Sequence, residues 1–508
     1  EQLVAQHNKE FFEYHREALK KKVAWGQKED PRHFYTCTTQ PYTEGRDDDF
    51  YVSAWGPRGE DLCGIHWGGG DVLHSSRFNT EPPNTTHDYR KALEGIDRPL
   101  MTHETGQWQV YPDLREITRY HGARRAFNFE IIRDDLLEKD RLVFAADYTR
   151  ASGMLALELY REEIESALRT PNLGGFLLLD LHDNPGYGTS TVGILNSLWE
   201  SKGLVTPEEF RRFCAPVVTL ARLPKRVWTN AETMSATVEL ANYGPEDLAG
   251  LTTLWRLEDE KGHIYDQGRF KHSAPQGELS PAGDIKVDLK KVTGAAKLLL
   301  HVETAGINGN TWDLWVYPEE EPKPAPEEIT IARKWNSDVL TQLNSGGSVL
   351  LTPAREDLKN AIPGTFTTVF WNVLMKHRQI SKTFGLLCDP AHPALALFPT
   401  EFYTNWQWWD VVIQSSAVSL DKFPAAMRPI VQVIDNYVEN RRLAMVFEGR
   451  AGKGRLLVCT ADITNNLENR PVARQLRESL INYMASPLFY PLVEITPENI
   501  ETIIAVKD

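Results

Sequence analysis

Arg98-Pro-Leu-Met-Thr-His-Glu-Thr-Gly-Gln-Trp-Gln-Val-Tyr-Pro112 decides how the chain is read. Apolar Leu100 and Met101 run into His103 and Glu104, with Gly106, Gln107, Trp108 and Tyr111 close behind. A strand that ends in a carboxylate, with glycine and aromatics after it, is how a parallel α/β barrel presents a reactive group at its C-terminal rim. Glu104 has the chemistry of a nucleophile or a general acid/base, and the rings of Trp108 and Tyr111 offer flat apolar faces to a sugar. The plainer alternative is a surface glutamate at a strand end, capped by a turn.

Two motifs carry a resemblance to a known family. Pro99-Leu-x-x-x-Glu104 resembles the nucleophile strand of family 2 glycoside hydrolases, the β-galactosidase and β-glucuronidase group. Gly174-Gly-Phe-Leu-Leu-Leu-Asp-Leu-His-Asp183 is similar to that family's last barrel strand, a Gly-Gly-Phe followed by acidic residues. The chain departs from the family at Thr105, where a tyrosine is usual, and in the leucines of the last strand, where a tryptophan is usual. Both departures bear on which sugar is taken. The resemblance implies a retaining exo-β-glycosidase acting on terminal galactose- or uronic-acid-like sugars of oligo- or polysaccharides. Glu104 would be the nucleophile, and the acid/base would be a glutamate after asparagine at the end of the fourth barrel strand. No such pair lies in residues 1–30, so that glutamate is expected upstream of residue 1.

Outward from this stretch the first 215 residues supply about four strand-and-helix units, whereas a closed (β/α)₈ TIM barrel needs eight. A half barrel alone would leave unpaired strand edges and an apolar lumen in water. Residues 1–215 are therefore expected to be the C-terminal half of a catalytic barrel, partnered by the N-terminal half of the same polypeptide. The pattern predicts a helix over 2–22, strands at 33–38, 49–55 and 63–67, a helix carrying Tyr89 to Leu93, and a helix from Asp113 to Gly122. Helices over 123–139 and 143–169 come next, with a buried strand over Phe176–Leu181.

Beyond the barrel the character changes. Over residues 216–317, short alternating runs such as Ala236-Thr-Val-Glu-Leu-Ala-Asn242, broken by Gly, Pro and Asn, predict an immunoglobulin-like β-sandwich. Residues 318–328, rich in proline and glutamate, read as a stiff linker. Residues 329–508 alternate strands and helices and predict a flavodoxin-like or amidotransferase-like α/β domain. There, Trp406 and Trp408 would share one face of an extended strand, as interdomain packing or as a sugar platform. Cys388 and Cys459 lack the flanking residues of a nucleophile elbow. The fold class expected is multidomain, α/β plus all-β.

The remaining site candidates come from neighbouring strand ends. His66, Trp67, His103, Gln107, Trp108, Asp180, His182 and Asp183 are read as substrate-binding residues, and Arg98 and Arg115 as possible marks of an acidic sugar. His66, His74, His87 and His103 show no ligand spacing, so no metal is expected, nor any other cofactor. A formal net charge of −14 argues against nucleic acid as partner. No run of eighteen apolar residues spans a membrane. The expected partner is a carbohydrate substrate, with a homo-oligomer open, and the expected location is the periplasm or outside of a bacterial cell, with no signal peptide in this sequence. Two alternatives stay open: a non-catalytic carbohydrate-binding protein with a degenerate barrel, and an α-L-arabinopyranosidase of the same family.

Overall fold

The apolar run before Glu104 forms the middle strand of a three-stranded parallel sheet. The computed structural model describes residues 2–36, 48–56, 60–62, 65–67, 73–121, 125–184, 189–307, 309–321, 324–371, 373 and 381–506. Leu100–Gly106 pairs with Tyr51–Ser53 on one side and Leu173–Leu179 on the other, both in parallel. The described residues thus give three parallel strands in one sheet, not four units, and no closed barrel is present among them. One expected strand went elsewhere because Ile65–Trp67 pairs antiparallel with Leu73–Ser76. Of the strand expected over 33–38, residues 34–36 have no regular structure and 37–38 lie outside the described residues. Leu177 and Leu181, on and just beyond the Leu173–Leu179 strand, are each 40% exposed.

Helix Ala145–Leu168 packs against this sheet. Gln2–Glu29 is one long helix, and Phe127–Glu138 and Ala145–Leu168 take the places expected of them. The two segments Arg90–Leu93 and Leu114–Arg119 are 3₁₀ turns instead of α-helices. No helix among the described residues is long and apolar enough to cross a membrane.

Helix Ala145–Leu168 meets the parallel sheet, the sandwich and the last domain. Alanine, leucine and glutamate dominate it and proline is absent, so it propagates easily. Its apolar face carries Leu155, Leu159 and Ile164, all fully buried. Three of its glutamates each accept a hydrogen bond from a tryptophan indole of a different region. Glu163 Oε1 lies 3.2 Å from Trp108 Nε1, Glu165 Oε2 3.0 Å from Trp312 Nε1, and Glu158 Oε2 2.8 Å from Trp406 Nε1. Burying carboxylates demands compensation, and Arg77, Arg161, Arg169 and Arg226 supply it around this helix.

Residues 217–317 form two facing sheets. One has five strands, including Leu248–Asp259, Ala296–Thr304 and Asn310–Tyr317; the other has three, Val217–Arg222, Thr233–Asn242 and Glu278–Asp288. The alternation read at 236–242 is real, for Met234, Ala236, Val238 and Leu240 all point into the core. Met234, Ala236 and Val238 meet Leu257, Leu300 and Trp312 from the opposite sheet.

The last domain has a mixed sheet. Ile329–Ala332, Ser348–Leu351 and Gly454–Cys459 are parallel neighbours, but Leu443–Ala451 runs antiparallel to Gly454–Cys459. Only Gly452-Lys453 separates those last two strands, and two residues can close a hairpin but cannot make a crossover. Thr383–Cys388, Ser416–Ser419 and Val431–Asp435 are also antiparallel additions, so the winding is not purely flavodoxin-like. Trp406–Trp408 is a 3₁₀ turn leading into helix Trp409–Ile413, not an extended strand. Both rings are buried: Trp406 stacks on Phe366, and Trp408 donates to Thr400 Oγ1. Their role is packing.

Candidate functional site

Strand Leu100–Gly106 does not run straight to its end. Thr102 pairs with Phe176 and Thr105 with Leu178, so the strand advances three residues while its neighbour advances two. That is a β-bulge, rare between parallel strands and concentrated beside active sites. Glu104 absorbs the extra residue in the left-handed region, at φ 56°. The buried hydroxyls of Thr102 and Thr105 meet 2.7 Å apart beneath it. The Glu104 side chain is thereby turned out to the rim, with 34% of it exposed.

Gln107 holds that carboxylate. Its Nε2 donates to Glu104 O at 3.0 Å and lies 3.4 Å from Glu104 Oε2, while His103 Nδ1 stands 3.8 Å from Oε1. The Gln107 backbone is itself left-handed, at φ 70°, and its N–H donates to the Tyr160 hydroxyl. Tyr160 Oη in turn donates to Val192 O at 2.8 Å and stands 3.2 Å from Leu179 O, tying the ends of two strands together. Gly106 lets it in, since a Cβ there would lie 2.0 Å from the Tyr160 ring.

Backbone strain converges on this rim. Ten non-glycine residues among those described have a left-handed φ, and five of them are Asn or Asp, which tolerate it. The other five are Glu104, Gln107, Thr189, Trp199 and Trp371. Trp371 N donates to Gln107 O at 2.7 Å, and Ser190 Oγ to Trp371 O at 2.9 Å. The Gln109 side chain bridges Thr189 O and Trp371 O. The Trp199 ring lies 4.4 Å from that of His182. Such residues cost about 1–3 kcal/mol each and persist where the surroundings over-determine them, typically at functional sites.

The expected site residues separate into those at the rim and those below it. His103 and Gln107 flank Glu104 directly. Asp180 comes after Leu179, the partner of Gly106, and burial raises its pKa against the opposing pull of His182. His182 keeps Nδ1 2.8 Å from Asp183 O and lays its ring against Trp199. Asp183 is buried, bound by Lys202 Nζ and by the N–H of Gly193, and fixes a loop instead of facing a substrate. Trp108 is buried at 2% exposure between Phe78, Phe370 and Glu163, and the hydroxyl of buried Tyr111 donates to Asn440 Oδ1. Neither ring presents a face to a sugar. The side chains of His66 and Trp67 lie outside the described residues. Arg98 donates to Asp48 O, and Arg115, largely exposed, is paired with Asp113.

Trp199, Trp371 and Glu163 went unread in the sequence. Only the Asn196-Ser-Leu-Trp199 turn pattern hinted at the first. Cys388 and Cys459 are buried, and burial pushes both thiols up to about 12. That leaves no activated thiol at either position.

Glu116, in the turn beneath the rim, is almost wholly buried, and neither of its carboxylate oxygens has a hydrogen-bond partner. Burial, reinforced by the nearby Asp183 carboxylate, pushes its pKa from 4.5 to about 7. A raised folded-state pKa means its stabilising contribution is full below 4.5 and is lost as pH rises through about 7. The difference is worth roughly 3 kcal/mol. Glu116→Gln is expected to flatten the decline of the urea midpoint between about pH 5 and pH 8. A variant that keeps the wild-type slope over that interval would show that another group titrates.

Two domain families match parts of the chain. Residues 232–318 match a domain of unknown function (DUF8488), and residues 330–505 match another domain of unknown function (DUF8487). No curated protein matches the chain. Parts of solved structures are similar at low identity. A calcium-binding mutant of Bacteroides uniformis β-glucuronidase 2 is 10% identical over 26% of this chain and 20% of its own, at a TM-score of 0.15. A family 123 glycoside hydrolase from Clostridium perfringens is 8% identical over 28% of this chain and 38% of its own, at 0.16. The CARDB domain of the PF1109 protein from Pyrococcus furiosus is 13% identical over 20% of this chain and 86% of its own, at 0.16. The neighbours thus include β-glucuronidases, of which this chain spans about a fifth.

Proposed function

We propose that the chain carries the nucleophile half of a retaining exo-β-glycosidase of the family 2 type, acting on galactose- or uronic-acid-like terminal sugars. The observation that carries this reading is Glu104 itself, turned out on a strained bulge at the end of the central parallel strand and held by Gln107. Glu104 attacks the anomeric carbon, and a second carboxyl protonates the leaving oxygen; retaining enzymes place the two about 5–5.5 Å apart. That acid/base glutamate comes from polypeptide outside these residues, as do the strands that complete the barrel. Leu177 and Leu181, each 40% exposed on and just beyond the Leu173–Leu179 strand, support such a completion. A periplasmic or secreted setting suits an enzyme that trims polysaccharides.

Gln107 orients the nucleophile, His103 and Asp180 stand where sugar hydroxyls would bind, and no cofactor enters the scheme. The test is covalent capture. A 2-deoxy-2-fluoro glycoside with a good leaving group, given to the intact natural protein, is expected to add one sugar mass to the peptide carrying Glu104. Labelling on another carboxylate, or turnover of aryl β-glycosides with inversion at the anomeric carbon, would overturn the assignment.

A further inference from the structure

The five-stranded sheet of the sandwich has an outer face whose charge runs against that of the chain. Leu257, Leu300, Val302 and Trp312 fill the core on its inner side. Side chains alternate along a strand, so Arg256, His301, Glu303 and Thr311 face outward. Register lines them up across the sheet: Gln267 pairs with Arg256, Arg256 with His301, and His301 with Thr311. In the next row Arg269 pairs with Leu254, and Leu254 with Glu303. Two clefts of about 400 and 350 Å³ open here and share Arg256, His301 and Glu303, so they form one groove. Arg212, just after the short helix Pro207–Phe210, lines its second half.

We infer that this groove binds a uronate-bearing saccharide chain, through residues that take no part in the rim around Glu104. The choice of a saccharide over an acidic peptide rests on the glycosidase reading above.

Arg212, Arg256 and Arg269 line the groove against one carboxylate among the lining residues, Glu303, in a chain of formal net charge −14. Such a local reversal of sign concentrates anions. Arg212 and Arg269 are exposed. Arg256 donates through Nε to Glu258 Oε2 at 2.8 Å, and no hydrogen bond among the described residues takes its two NH₂ groups. A guanidinium with free N–H groups meets a carboxylate in two parallel hydrogen bonds. The arginines act on the groove's interior: burial lowers the pKa of His301, Arg256 and Arg212 add to it, and Glu258 opposes them.

The groove suits a sparsely charged chain. Glu303 would repel a dense polyphosphate, and the backbone N–H groups that favour phosphate are consumed here in the sheet ladder. Glu303 and Gln267 can instead take hydroxyls lying between the carboxylates of a uronate chain. Leu254, 53% exposed between Arg269 and Glu303, offers apolar surface to the C–H face of a ring.

The test is titration calorimetry on the intact natural protein carrying Glu104→Gln, so that a chain is bound and not cut. A galacturonate oligomer is expected to bind, more weakly as salt is raised, and a galactose oligomer of equal length at least about tenfold more weakly. Arg212→Glu with Arg269→Glu is expected to lower the uronate affinity about tenfold or more. The same two changes with Glu104 intact should leave turnover of a small aryl glycoside unaltered. Uronate binding that is absent, unchanged in the double variant, or matched by the neutral oligomer overturns the inference. Poly-glutamate binding as tightly as the uronate overturns the choice of a saccharide. If wild type is never labelled at Glu104 but the double variant still loses uronate binding, the glycosidase reading falls and the groove stands. Should the charge reversals unfold the protein, Arg212→Gln with Arg269→Gln carries the same comparison.

Discussion

Glu104→Gln is expected to lower turnover by about three orders of magnitude or more, with KM little changed. Removing a covalent nucleophile removes an interaction made in the transition state, while the groups that bind the ground state remain. Here those groups are His103, Asp180 and the rim loops, of which His103 stands 3.8 Å from the Glu104 carboxylate. Glutamine keeps the size and the contact with Gln107. Glu104→Gly goes further, because it opens room for a small anion. Azide should then attack the anomeric carbon from the vacated side and yield a glycosyl azide of inverted configuration. Glycine also adopts φ 56° without strain, so this variant should unfold no earlier than wild type while being nearly inactive without azide. A stable Glu104→Gln protein with near-normal turnover would remove both the nucleophile and the family-based reading.

The strand that ends in Glu104 was legible because its signal is local: apolar residues, a carboxylate, then a glycine. The sandwich was legible for a similar reason, since alternation with period two needs only neighbours in sequence. The environment of the residues after Gly106 was not. Whether Trp108 faces a ligand or a core depends on Glu163, 55 residues away, and on Phe370 in another domain. Nothing within the stretch 106–112 carries that information. The burial of glutamates on helix Ala145–Leu168 was not legible either: Glu162, Glu163 and Glu165 are all buried. Their compensation comes from Arg77, Arg226 and a ring of indoles that the fold brings together. The mixed winding of the last sheet was readable in principle, because two residues between strands permit only a hairpin. The strain at Trp199 and Trp371 was not, since a left-handed tryptophan has no sequence signature.

The same buried charges give the largest stability effect expected anywhere in the chain. Glu165 is fully buried and accepts from Arg161 Nε at 2.9 Å, Trp312 Nε1 at 3.0 Å and Asn310 Nδ2 at 3.1 Å, with Arg169 Nη1 at 3.4 Å. Burial alone would raise its pKa, but Arg161 and Arg169 outweigh burial and hold it below 4.5. Its contribution is therefore present above 4.5 and lost as pH falls through the lower folded value. Truncating one member of such a cluster strands the others without water or partner. Glu165→Ala is expected to cost about 3–5 kcal/mol, and to loosen the sandwich from the helix because Asn310 and Trp312 lose their acceptor. Glu165→Gln keeps an acceptor for the indole but not the charge, and should recover only part of that loss. Urea unfolding followed through tryptophan emission at neutral pH checks the order wild type, Gln, Ala. If Glu165→Ala unfolds within about 1 kcal/mol of wild type, the helix is held by its apolar face alone and the glutamate–tryptophan contacts are incidental to it.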